Sequence, residues 1–131
     1  VHKVSRLFEQ NKKDDLVTLE INGHKLQAST IELALLELME PITEENRFAV
    51  TLGIMKSMDK ISGERMQSLL ERSESPKANR LFLHFANKCK HAWLADINEE
   101  TIDLGEGEIR VIKDGILDDQ YNITIPAFYP A

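Results

Sequence analysis

The stretch PKANRLFLHFANKCKHAWLADI, residues 76–97, decides the fold, because it carries the signals of one long helix. Ser75 stands where a helix N-cap belongs. Pro76 stands at the first helical position, where a proline loses no hydrogen bond. No glycine or proline follows within the stretch. We therefore predict a single helix over residues 76–97 and expect the rest of the chain to pack around it.

Three groups of side chains separate when this helix is drawn at about 100° per residue. One face is apolar and partly aromatic, so we expect it to be core. A narrow cationic stripe lies beside it, in a chain whose net charge is −6. Leu83 and Leu94 share a third flank. The apolar face holds Ala78, Phe82, Phe85, Ala86, Cys89, Ala92 and Trp93, and the cationic stripe holds Lys77, Arg80, His84, Lys88 and His91.

The chain before residue 76 predicts a β-hairpin and three helices. Residues 16–21 and 24–28 flank Asn22-Gly23, the pair that a two-residue type I′ turn prefers. Helices are predicted over residues 30–40, 44–61 and 64–72. The first of these is apolar on nearly all sides, so we expect it to be buried centrally.

After Asn98 the hydrophobic period changes to that of strands. Residues 101–104 and 108–112 alternate and are joined by a glycine-containing loop, and further strands are predicted near 116–117 and over 121–125. The sequence thus predicts one α+β domain over residues 1–131. It has an N-terminal β-hairpin, a four-helix core centred on helix 76–97, and a C-terminal antiparallel β-meander.

Charge is distributed unevenly along the chain. Residues 1–93 carry 14 basic and 13 acidic side chains, a net of +1, whereas residues 94–131 carry 2 basic and 9 acidic, a net of −7. The acidity therefore belongs to the C-terminal part, which should repel phosphate and attract basic partners.

Several classes of protein are disfavoured by what the sequence lacks. It contains no phosphate-binding glycine loop and no hydrolase or metalloprotease motif. Cys89 and His84 fall on different faces of the predicted helix, so we expect no metal site, and nothing indicates a cofactor. The single cysteine is typical of a reducing compartment, and no apolar run could span a membrane, which together favour the cytoplasm.

The favoured interpretation is a small non-catalytic protein that binds another macromolecule, most simply a protein with a basic surface, as an adaptor, inhibitor or assembly factor. Acidic side chains would form the charged part of the binding face, and the two leucines of the third flank its apolar part. Its oligomeric state stays open. The candidate partner-binding residues are Leu83, Leu94, Glu106, Glu108, Asp118 and Asp119.

A DNA-binding regulator is the alternative, and an enzyme of unrecognised type is the third interpretation. Helices 64–72 and 76–97 are joined by three residues, as in a helix-turn-helix, and a hairpin follows where a winged helix has its wing. Acidic residues in that wing count against it. The candidate nucleic-acid-binding residues are Lys77, Asn79, Arg80, His84 and Lys88.

Overall fold

The computed structural model describes the backbone of residues 16–21 and 24–29 and the whole of residues 30–127. Within these residues the chain is α+β, with the four α-helices that the sequence predicts and short antiparallel strands, the first two of which are β1 (Leu16–Ile21) and β2 (His24–Ser29). No helix in this part of the chain has the length and apolar character needed to cross a membrane. The helices are α1 (Ile31–Glu37), α2 (Glu45–Lys56), α3 (Gly63–Arg72) and α4 (Pro76–Cys89).

Helix α4 begins where predicted. The Ser75 hydroxyl accepts a hydrogen bond from the Ala78 N–H at 3.1 Å, and Pro76 occupies the first turn. This cap satisfies one of the backbone N–H groups that every helix leaves without an internal partner.

The prediction of one helix through residue 97 is wrong, because α4 ends at Cys89. Lys90 adopts the left-handed conformation, with φ 54° and ψ 41°, and a separate 3₁₀ helix follows over Ala92–Asp96. The turn brings Trp93 into the core, where its ring stacks on Phe82 at 5.7 Å and its indole N–H donates to the Met58 carbonyl at 2.8 Å. These tertiary contacts outweigh the local preference to continue the helix.

Helix α4 is the centre of the core. All nine residues 78–86 are buried, so every face of the helix is covered along this stretch. Helices α1 and α2 pack against α4, and α1 also packs against α3. The expected all-round burial of α1 is only partly correct, because Ile31 is 58% exposed. The largest fully buried side chains are Phe48, Phe82, Phe85, Leu33, Leu36, Met39, Ile42, Met55, Met66, Leu69, Leu70 and Leu81.

The C-terminal part contains less sheet than predicted. Within residues 98–127, which the structure describes, the hairpin expected from residues 101–104 and 108–112 does not form, and Glu99–Thr101 is a 3₁₀ helix instead. Two strands do form, β3 (Ile116–Asp118) and β4 (Ile123–Ile125), in the regions predicted for the last two.

Strands β3 and β4 pair antiparallel, with Ile116 opposite Ile125. An isolated parallel bridge joins Ile109 to Ile123, so β4 lies between residue 109 and β3. Gly115 leads into β3 at a very close approach: a side chain there would place Cβ 2.4 Å from the Ile125 carbonyl oxygen. The sheet formed by β3 and β4 is therefore short, but close backbone contacts fix its geometry.

Near the N-terminus, two segments (Leu16–Ile21 and His24–Ser29) have antiparallel strand backbones, with Ile21 opposite His24. The Asn22-Gly23 turn lies outside the described residues. The type I′ hairpin stays a prediction.

Candidate functional site

The predicted cationic stripe of α4 is mostly buried or half-buried. Asn79, Arg80 and His84, which were predicted to contact nucleic acid, are 0%, 3% and 3% exposed, so the fold encloses their side chains. Lys77 is half-buried and donates to the Glu40 carbonyl at 2.7 Å, and only Lys88 is well exposed. Within this stripe, Arg80 and His84 face the chain's own C-terminal part.

Arg80 holds that part through backbone carbonyls. Its Nε donates to the Leu104 oxygen at 2.5 Å, and its Nη1 donates to Gly107 at 2.6 Å and to Asn122 at 3.2 Å. Asn79 adds a bond from Nδ2 to the Asp103 oxygen at 2.8 Å. Arg80 of the cationic stripe and its neighbour Asn79 thus bind the C-terminal part through carbonyls rather than carboxylates. Hydrogen bonds from a charged donor are each worth about 1.5–3 kcal/mol.

His84 lies against two aromatic rings and one carboxylate. Its ring centroid is 5.9 Å from that of Phe48 and 5.8 Å from that of Phe85, and its Nδ1 is 3.7 Å from the Asp118 Oδ2. Burial lowers the pKa of His84 below its ordinary value, and Lys88 lowers it further, while Asp118 acts in the opposite direction. Burial dominates, so the neutral imidazole is favoured at neutral pH.

A polar cleft of about 440 Å³ opens beside His84, at the C-terminal end of α4. Tyr121 is close to it: its hydroxyl donates to Glu99 at 2.7 Å and accepts from the Asn87 amide at 2.7 Å. Burial first, and then the bond to Glu99, raise the pKa of Tyr121, so its hydroxyl stays a donor. We call this the α4 cleft; its lining residues are His84, Asn87, Lys88, Lys90, Asp118 and Gln120.

Three exposed lysines lie near the C-terminal ends of α2 and α4. Lys88 and Lys90 line the α4 cleft, and Lys56 ends α2 close enough to oppose the burial that raises the pKa of Cys89. His91 ties the same two helix ends together, because its Nε2–H donates to the Met55 carbonyl at 2.8 Å. We call Lys56, Lys88 and Lys90 the basic rim. Cations at helix C-termini also complement the helix dipole, which is their ordinary structural role.

The residues predicted to bind a partner differ in exposure, and their role in binding stays a prediction. Leu83 is fully buried, because α4 is covered on all sides, and Leu94 is half-buried against the core. Asp118 is also half-buried and accepts from the Tyr121 N–H at 3.1 Å. The other acidic candidates, Glu106, Glu108 and Asp119, are exposed as expected.

Sequence reasoning missed the apolar surface that does exist in the acidic part. Ile116 and Leu117 are 51% and 46% exposed. The sequence did carry a signal for this surface. Two adjacent aliphatic residues lie between Asp114-Gly115 and Asp118-Asp119, and a short segment between a turn and two carboxylates is seldom buried in the core. Over residues 30–127, no cluster of three or more His, Cys, Asp or Glu side chains could hold a metal ion.

One comparison with known proteins identifies a family. A family model described as "Transcriptional regulator, AbiEi antitoxin, Type IV TA system" matches residues 1–126. No significant match was found among curated proteins or among solved structures. Because the family model covers nearly the whole chain, the chain belongs to this family.

Proposed function

We propose that this member of the AbiEi antitoxin family regulates transcription by binding DNA and acts in the cytoplasm as an antitoxin. The observation that carries the proposal is the family match over residues 1–126, whose description names regulation and antitoxin action and no catalysis. It favours the DNA-binding alternative over the protein-binding interpretation that the sequence suggested first.

The DNA contact proposed here differs from the one predicted from sequence. Helices α3 and α4 have the three-residue connection of a helix-turn-helix, but three of the α4 side chains predicted to contact DNA, Asn79, Arg80 and His84, are buried. A recognition helix must present its face to the major groove. We therefore assign the DNA contact to the basic rim, not to the buried face of α4.

The basic rim has the properties needed for phosphate contacts. All three of its lysines are exposed, while residues 30–127 as a whole carry 11 basic and 18 acidic side chains, a net of −7. Because this part of the chain is negatively charged overall and repels phosphate, DNA must approach it through a local cluster of cations. Lysine–phosphate contacts orient a protein on the duplex without reading its sequence.

The test measures binding to duplex DNA from the protein's own promoter region, at several salt concentrations. Replacing Lys56, Lys88 and Lys90 by alanine should weaken binding and reduce the salt slope by roughly 0.9 for each phosphate that the variant no longer neutralises. The matched control is Lys113→Ala, which removes an exposed cation from the acidic segment. If both proteins bind as the parent does, the rim is not the contact. If the parent shows no salt-dependent binding, the proposed function fails.

A further inference from the structure

Strand β3 exposes apolar side chains on both of its faces. Ile116 is 51% exposed and Leu117 is 46% exposed. Successive residues of a strand point to opposite sides of the sheet, so neither face of β3 is covered at these positions. A strand that only completed the fold would bury one of them.

Strand β3 is also an edge. In the part of the chain that the structure describes, it pairs with β4 alone, and the bridge from Ile109 lies on the far side of β4. The outer backbone groups of an edge strand can pair with another extended chain.

Contacts within the fold hold the backbone of β3 in place at both ends of the strand. Gly115 fixes its entry, since a Cβ there would clash with the Ile125 carbonyl. Its exit is fixed by Asp118, whose carboxylate accepts from the Tyr121 N–H at 3.1 Å and whose carbonyl accepts from the Asn122 N–H at 2.8 Å. A rigid edge lowers the entropy cost of adding a strand.

The charge around β3 selects the partner. Asp119 follows the strand directly and Asp114 lies two positions before it, and both are exposed. Residues 106–119 carry five acidic and two basic side chains, Arg110 and Lys113, a net of −3. A second copy of β3 would bring the same carboxylates to the pair, and like charges facing each other destabilise it. A segment with basic side chains would be attracted instead.

We propose that the outer edge of β3 binds an extended segment of a partner protein in which apolar and basic residues alternate. The backbone of the segment pairs with β3, its apolar side chains cover Ile116 and Leu117, and its cations meet the flanking carboxylates. Asp118 of β3 also lines the α4 cleft beside Lys88 and Lys90, so this surface adjoins the basic rim. The proposed strand pairing does not require DNA binding.

The probe is an acetylated nine-residue peptide of alternating valine and lysine, compared with one of alternating valine and glutamate. Nuclear magnetic resonance titration of the full chain should show shifts centred on residues 114–119 with the lysine peptide alone. Replacing Ile116 and Leu117 by threonine keeps the strand propensity and should weaken binding by roughly tenfold. The matched control is Val50→Thr, another exposed aliphatic, at 55%.

Replacing Asp114 and Asp119 by asparagine gives a second, independent arm, and it should weaken binding most at low salt. The proposal is overturned if neither peptide binds at millimolar concentration, if both bind equally, or if the threonine variant keeps full affinity while its melting temperature matches the parent. Concentration-dependent dimerisation that the threonine variant abolishes would also overturn it, in favour of a second copy as the occupant.

Discussion

His84 lies with its ring against Phe48 and Phe85, and burial is the main influence on its proton affinity. The pKa of folded His84 is below its value in the unfolded chain, which is about 6.5. Between the two pKa values the unfolded chain holds a proton that the folded chain does not. The free energy of unfolding should therefore fall as pH drops below about 6.5, by at most about 1.4 kcal/mol per pH unit for this group.

Urea denaturation between pH 7 and pH 5 measures this dependence, and His84→Gln should flatten it. Of the two neighbouring charges, Asp118 favours protonation and Lys88 opposes it. His91→Gln is the matched control, because it removes a histidine that is half-buried rather than enclosed. An unchanged slope in His84→Gln would show that His84 titrates alike in both states.

Helix α4 ends on Lys90, a lysine in the left-handed conformation that glycine adopts without strain. Lys90→Gly should raise the free energy of unfolding by about 0.5–1 kcal/mol. The variant relieves the backbone strain, and the greater conformational entropy of glycine in the unfolded chain offsets part of that gain. Lys90→Ala keeps the strain and should leave stability close to that of the parent. Thermal denaturation separates the two variants, and equal melting temperatures would mean that the turn is not strained. Both variants lack a cation of the basic rim, so both should weaken DNA binding.

The two ends of α4 also show how far sequence can predict an element. Its start was predictable because the signals, Ser75 and Pro76, are local. Its end was not, because no glycine marks it and the turn at Lys90 is stabilised by Trp93 reaching Phe82 and the Met58 carbonyl. These contacts join residues far apart in the chain.

The C-terminal strands also show that contacts between distant residues cannot be predicted from a local pattern. Residues 101–104 and 108–112 alternate as strands do, but part of their backbone bonds elsewhere. Carbonyls of Asp103, Leu104 and Gly107 accept from side chains of α4 that lie 24 to 27 positions away. Periodicity does not reveal such bonds. For the candidate site, the sequence placed Arg80 and His84 on the surface although both are buried, because it could not show that α4 is enclosed. A nucleic-acid contact of Lys88 stays a prediction.

At the scale of the whole molecule, Arg80 joins the helical core to the acidic part of the chain. Arg80→Lys keeps the charge but replaces a planar fork of donors with a single ammonium, which cannot serve the carbonyls of Leu104, Gly107 and Asn122 together. We expect a loss of about 3 kcal/mol or more in unfolding free energy, since buried acceptors lose their partners. Urea denaturation measures the loss.

Hydrogen exchange locates the effect of this variant. Amides over residues 104–125 should exchange faster in Arg80→Lys, while those of α3 change only with global stability. The control is Lys88→Met, on the exposed side of the same helix, which should alter stability by no more than about 0.5 kcal/mol. Uniform acceleration throughout the chain would show that the two parts unfold as one unit.

The three bonds of Arg80 have a consequence for which substitutions this chain can accept. They recognise main-chain oxygens, which every amino acid supplies, so they depend on the path of the backbone and not on side-chain chemistry. That path restricts Gly107 and Asn122, whose φ angles are 77° and 56°. Substitutions at the solvent-facing positions between these anchors, such as Glu106 and Glu108, leave the bonds in place. The exposed side chains of this segment can therefore change while Arg80 keeps the backbone beneath them in place.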